Sequence, residues 1–174
     1  MPLRLLIIRH AEEHATTGVT EDGTPDPHSL TPRGWQRAGA LVHRFGPGSR
    51  SDMIPDAIYS SSIAPGSESR RPQQTVTPLL ALLSAGNGVA SETSLGKHDT
   101  EPLASSVMQR SGTVLIAWEH SKIADFVRAL PNPPEIPEKW PSDRYDLIWV
   151  LDRDGDGWRF HQEPQLLLAG DEEV

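Results

Sequence analysis

Leu3-Arg4-Leu5-Leu6-Ile7-Ile8-Arg9-His10-Ala11-Glu12-Glu13-His14 is the stretch that decides how this 174-residue chain folds. Leu3, Leu5, Leu6, Ile7 and Ile8 form a nearly continuous apolar run, which suits a short strand covered on both faces. The run stops abruptly at Arg9, His10, Glu12 and Glu13, so a buried strand delivers ionisable groups to the edge of a sheet. In open α/β sheets, ligands bind just past the carboxyl ends of the strands. Arg9 supplies a planar fork able to grip an oxyanion, and His10 an imidazole able to attack or to accept a proton. A strand that simply ends at the surface shows the same pair, because charged side chains sit in water by default. The pair gains meaning only from motifs farther along the chain.

At this length roughly 70% of the unfolded surface can be buried, so residues 1–174 read as one domain with a true core. The chain carries 16 basic and 24 acidic side chains, a formal net charge of −8. That balance speaks against nucleic acid and anionic membranes as partners, and an anionic ligand needs a local pocket of positive charge. There is no cysteine, which excludes disulfides, thiolate metal sites and a cysteine nucleophile, and fits a reducing, cytoplasmic setting. No apolar run is long enough to span a bilayer, and the opening residues lack the pattern of a signal peptide, so a soluble protein is expected.

Outward from the first strand, residues 15–29 are rich in glycine, proline and small polar side chains and read as a long loop, either a lid or an idle connection. Thr31 is placed to cap a helix with Pro32 at its first position, and Trp35, Ala38, Leu41, Val42 and Phe45 recur at helical spacing. Asp56 to Ser60 reads as a second strand. A loop then ends in Arg70-Arg71-Pro72, with a helix expected from Gln73 to Leu83 in which Pro78 marks either a kink or a late start. Arginine at the amino end of a helix adds its charge to the helix dipole and the free amides, which together attract anions. Gly88 to Ser91 holds a brief strand, and a polar loop leads to a helix from Pro102 to Gln109. Thr113-Val-Leu-Ile-Ala-Trp118 is the clearest strand, and it too ends in ionisable residues, Glu119-His120, before Ser121 caps a helix reaching Leu130. The proline-rich segment 131–141 reads as a connection, 146–161 as a hairpin, and the acidic tail 171–174 as frayed.

Asp152 to Glu163 satisfies the twelve-residue calcium-loop pattern at every specified position. Its flanks, Leu147-Ile-Trp-Val and Trp158-Arg-Phe, are aromatic and β-branched, so a hairpin turn is expected in place of a calcium site.

Four elements in order, namely Arg9-His10 after the first strand, Leu30-Thr31-Pro32-Arg33-Gly34 opening the first helix, Tyr59-Ser60-Ser61 with Arg71-Pro-Gln-Gln-Thr75 after the second strand, and His120 after a late strand, resemble the histidine phosphatase superfamily in its small bacterial branch. The resemblance implies a phosphoglycerate mutase-like fold: an α/β, three-layer αβα sandwich with a mostly parallel sheet and a C-terminal β-hairpin. It implies that His10 is the nucleophile, phosphorylated on its imidazole, that Arg9, Arg71 and His120 hold the phosphoryl oxygens, and that no metal or cofactor takes part. The proton donor to the leaving group is expected in the loop after the third strand, at Glu101 or Asp99, with Glu92 a more distant candidate. Substrates are a phosphorylated small molecule or protein side chain.

The sequence departs from the family pattern in ways that bear on function. Ala11 and Trp118-Glu119-His120-Ser121 stand where glycine is common, and the interval before Arg71 is long, which keeps Arg70 open as the clamp. A phosphomonoesterase working through phosphohistidine is the leading expectation. A weakly catalytic phosphate-binding domain and a phosphomutase are the alternatives.

Overall fold

The computed structural model describes residues 2–14, 16–86 and 88–174; Ala15, in the expected long loop, lies outside them. The elements run β1 (Arg4–Arg9), α1 (Pro32–Phe45), a single 3₁₀ turn (Ser51–Met53), β2 (Ala57–Ser60), α2 (Arg71–Ser84), β3 (Ala90–Glu92), α3 (Thr100–Val107), β4 (Thr113–Trp118), α4 (His120–Arg128), β5 (Leu147–Asp154) and β6 (Gly157–Pro164). They form one six-stranded sheet in the order β3-β2-β4-β1-β5-β6. β1 to β4 are mutually parallel, and the β5–β6 hairpin joins antiparallel to β1. The three-layer, mostly parallel sandwich is therefore the observed architecture.

Alternation along the buried strands sorts the core into two layers. Leu5 and Ile7 of β1 pack with Val114, Ile116 and Trp118 of β4 against Leu103 and Val107 of α3 and Ile123 and Phe126 of α4. Leu6 and Ile8 face the other way, with Leu115 and Ala117, against Leu41 and Phe45 of α1 and Val76 and Leu79 of α2. The helix after β1 thus covers one face and the helix after β4 the other, although the two strands are neighbours. Where adjacent strands send their helices to opposite faces, a crevice opens at their carboxyl ends.

Several local expectations change in three dimensions. Helix α2 starts at Arg71 and runs through Pro78, with the Thr77 hydroxyl bonding back to the Gln73 carbonyl at 2.9 Å. Helix α3 begins at Thr100, two residues before Pro102. The cap of α4 is Glu119 and not Ser121: its carboxylate accepts the Ser121 amide at 3.2 Å and the Ser121 hydroxyl at 2.6 Å. Residues 152–163 form the hairpin, with Gly155 at φ +58° supplying the turn, so the helices that a calcium hand requires are not there. The proline-rich segment is anchored by Trp140, which is buried 5.2 Å from Trp149.

The tail does not fray at Asp171. Its carboxylate is 3% exposed and takes two bonds from Arg37, at 2.7 and 3.1 Å, and two from the amides of Leu167 and Leu168. Burial would raise this carboxyl, but the Arg37 bonds and the two amides outweigh it and hold it at about 2. Among the described residues, no helix is long and apolar enough to cross a membrane.

Candidate active site

Strand register assembles the site. Arg9 pairs with Trp118 and Ser60 with Ala117, so His10, Ser61 and Glu119-His120 leave the sheet side by side at the crevice. The His10 amide donates to the Trp118 carbonyl at 3.0 Å, extending the ladder one residue past β1. Two motif residues of α2 then lock the turn from behind. Thr75 accepts the Ala11 amide at 2.8 Å while its hydroxyl donates to the Arg71 carbonyl at 2.7 Å, and Gln74 accepts the Leu30 amide at 2.8 Å. Thr31 caps α1 through Gly34 and also donates its amide and hydroxyl to the Glu12 carbonyl, both at 3.1 Å. The residues that open α1 and α2 therefore position the loop after β1.

His10 is 2% exposed. Its Nδ1 lies 2.8 Å from the Ala11 carbonyl, and because a carbonyl can only accept, Nδ1 carries the proton and Nε2 keeps its lone pair. Burial lowers its pKa to about 4; Glu13 and the Ala11 carbonyl oppose that fall, and Arg9 and Arg71 add to it. At neutral pH this imidazole is uncharged and ready as a nucleophile. The ring lines a cavity of about 350 Å³ together with Glu13, Arg71, Ser61, Ser67, Ser69, Lys97, His98, Glu119 and Ser121.

The carboxylate of Glu13 sits at the focus of the basic groups. One oxygen is 3.0 Å from Nη2 of Arg9, 3.7 Å from Nε2 of His10 and 3.4 Å from Nε2 of His14; the other is 2.9 Å from Nη1 of Arg71. Burial alone would raise the Glu13 carboxyl, but His10, Arg71, His14 and Arg9 together hold it below the usual range. Arg9 is 2% exposed and reaches the cavity only through Glu13; Tyr145 stacks on it, 3.8 Å from ring centre to guanidinium carbon, and the Ser142 carbonyl takes Nη1. Arg71 is aimed by the long loop, whose Pro27 and Ser29 carbonyls accept Nη2 at 2.6 Å and Nε at 3.2 Å. The loop thus orients the Arg71 side chain, and it is itself fastened by Trp35 donating to the Val19 carbonyl at 2.8 Å.

The other expected site residues divide. His120, in the first turn of α4, points its Nδ1 at Glu119 from 3.3 Å. Burial lowers its pKa, Arg9 adds to this, and Glu119 and Glu13 oppose it, so it stands within electrostatic reach of the cluster without forming the cavity wall. Arg70 faces Asp26 at 3.7 Å with its side chain 52% exposed, whereas Arg71 lines the cavity. The carboxyl candidates do not line the cavity. Asp99 accepts the Gly96 amide at 2.7 Å, Glu101 is exposed in the first turn of α3, and Glu92 accepts the Ser94 amide at 2.8 Å; the cavity wall includes none of them. The carboxylates on that wall are Glu13 and Glu119. Both were visible as charged neighbours of the histidines, but which of Glu12 and Glu13 turns inward is decided by Arg37, which takes Glu12 at 2.8 Å. Tyr145 carried no local signal at all.

A larger cavity, about 560 Å³, lies at the opposite edge of the sheet beside Leu3 and Ile54. Its Arg4 is already paired with Asp52 and Asp152, so size alone does not mark a site.

Fold and crevice together define a phosphoglycerate mutase-like α/β domain with its basic cluster at the switch point of the sheet. A protein histidine phosphatase SixA complexed with tungstate has the same fold, with a TM-score of 0.60 at 17% identity over 93% of this chain and 97% of that one. So do a candidate α-ribazole-5'-phosphate phosphatase from Escherichia coli, at 0.57 and 13% over 91% and 95%, and a candidate phosphohistidine phosphatase SixA from Nakamurella multipartitia, at 0.55 and 16% over 92% and 94%. No family model and no curated protein sequence matches the chain.

Proposed function

We propose that the protein is a metal-independent phosphohydrolase in which Nε2 of His10 accepts a phosphoryl group and water then releases it as phosphate. The observation that carries this reading is a buried, neutral imidazole lining a cavity whose wall also holds Arg71. Attack forms the N–P bond as the bond from phosphorus to the leaving group breaks, and no proton need first leave the nucleophile. Arg71, with Arg9 and His120 behind it, offsets charge on the equatorial oxygens, where positioning and electrostatics do most of the work of phosphoryl transfer.

Asp99 and Glu101, the expected sources of the leaving-group proton, do not form the cavity wall. The arrangement therefore favours leaving groups that need little help. A phosphorylated imidazole can carry a proton on its other nitrogen and depart neutral, whereas an alkoxide needs a donor. This agrees with the protein histidine phosphatase among the structural relatives and favours a phosphorylated protein side chain over an alkyl ester. The absence of cysteine fits the reducing cytoplasm, where we place the activity.

Mass spectrometry of acid-sensitive phosphoenzyme during turnover of a phosphohistidine peptide and of p-nitrophenyl phosphate tests the mechanism. His10→Ala should abolish both phosphoenzyme and turnover, and Arg71→Ala should cost about 10²-fold in kcat/KM. Full turnover in His10→Ala overturns the proposal. A phosphate-binding domain with little turnover is the second reading, supported by the carboxylate already lodged among the cations; it predicts bound phosphate and no phosphoenzyme.

A further inference from the structure

Two guanidiniums and an imidazole nitrogen converge on one small volume, and Glu13 already fills it. Its two oxygens are divided between Arg9 and Arg71, at 3.0 and 2.9 Å, and the first of them stands 3.7 Å from the His10 nitrogen proposed to attack phosphorus. A carboxylate bridging two guanidiniums makes the same contacts as two oxygens of a phosphoryl group. From these contacts we propose that Glu13 is a resident occupant of the phosphoryl seat, and that an entering phosphoryl group displaces it. This inference rests on the reading of the cavity as a phosphoryl site.

Geometry separates this role from that of a missing acid. In phosphoryl transfer the nucleophile, phosphorus and leaving atom lie roughly in line, so a proton donor to the leaving group stands beyond phosphorus, on the side away from His10. With one oxygen 3.7 Å from the attacking nitrogen and its two oxygens on the guanidiniums, Glu13 makes the contacts of equatorial oxygens and stands closer to His10 than a donor beyond phosphorus would.

The charges around the seat show what the occupant does. Arg9 and Arg71 contribute +2, Glu13 contributes −1, and Glu119, 3.3 Å from His120, contributes another −1 at the wall, while His10 is neutral; His14 and the Tyr145 hydroxyl complete the surroundings of Glu13. Lys97 on the same wall adds +1, so with Glu13 in place the cluster presents a net charge of only +1 to an incoming dianion. With Glu13 displaced, both guanidiniums are released to it. Free phosphate, which gains only those contacts, pays the full cost of displacement, whereas a substrate also held by Lys97, His98 and the serines of the cavity wall has further binding energy to offset it. Glu13 thus sets the threshold between product and substrate.

Isothermal titration of inorganic phosphate into the wild type, Glu13→Gln and Glu13→Ala is the test, with melting temperatures recorded with and without phosphate. Both variants should bind phosphate at least tenfold more tightly than the wild type, equivalent to about 1.4 kcal/mol. They should melt below it without anion, where the arginines lose their counter-charge, and gain more from added phosphate. If the wild type binds phosphate and both variants bind it equally or more weakly, Glu13 is a supporting residue and the inference falls while the proposed function stands. If none of the three binds phosphate, the phosphoryl seat itself is wrong and both fall.

Discussion

Burial keeps the His10 imidazole neutral and makes the protein sensitive to acid. Because its pKa falls from 6.5 to about 4 on folding, the unfolded chain takes up a proton between those values and the native state does not. Its contribution to stability is complete above pH 6.5 and is lost as pH falls toward 4, by on the order of 3 kcal/mol. His120, whose pKa is also lowered by burial, acts in the same sense. Denaturant unfolding measured from pH 7.5 to 4 should show a falling limb, and His10→Gln should remove most of it; an unchanged limb would assign the acid sensitivity to other groups. Turnover should persist to pH well below the usual histidine range before protonation of Nε2 stops it.

At the scale of elements, α1 is fitted to the loop after β1 by a residue without a side chain. A Cβ on Gly34 would lie 2.6 Å from the Glu12 carbonyl and 3.1 Å from the Leu30 Cβ. Alanine inside a helix is worth about 1 kcal/mol over glycine, but here the contact is with backbone that cannot turn aside. Gly34→Ala should therefore destabilise by about 1–2 kcal/mol net and move the helix off the loop that carries Glu12 and Glu13. Thermal melts and kcat/KM check it together, and activity should fall by more than the lost folded fraction accounts for. The glycine in Leu30-Thr31-Pro32-Arg33-Gly34 is thus a spacing device between helix α1 and the loop after β1.

Across the whole molecule, buried Arg37 ties the last residues of the chain to the first turn of the site. It joins Glu12, next to Glu13, to Asp171 and to Gln165, which accepts Nη1 at 2.9 Å. With its folded pKa at about 2 against 3.8 unfolded, Asp171 contributes stability present above about pH 4 and lost as pH falls through 2. Asp171→Asn should lower stability at pH 7 by on the order of 2 kcal/mol, a melting shift of several degrees, and the two proteins should converge near pH 2. A constant difference across that range would mean that the packing of the tail matters and its charge does not.

The first strand, the strand ending at Trp118, the cap-and-proline opening of α1 and the hairpin were all legible in the sequence, because each is specified by neighbours along the chain: unbroken apolar runs, a hydroxyl before a proline, glycines between aromatic strands. That Arg9, His10, Arg71 and His120 would come to the same end of the sheet was legible through their order after those elements. Which carboxylates line the cavity was not, since Asp99, Glu101, Glu12 and Glu13 look alike until packing gives Glu12 to Arg37, keeps Asp99 and Glu101 off the cavity wall and leaves Glu13 among the cations. Local sequence determined where the backbone would bend and what it would carry there; only the tertiary structure decided which charges meet, because electrostatic partnership depends on distances between residues far apart in the chain.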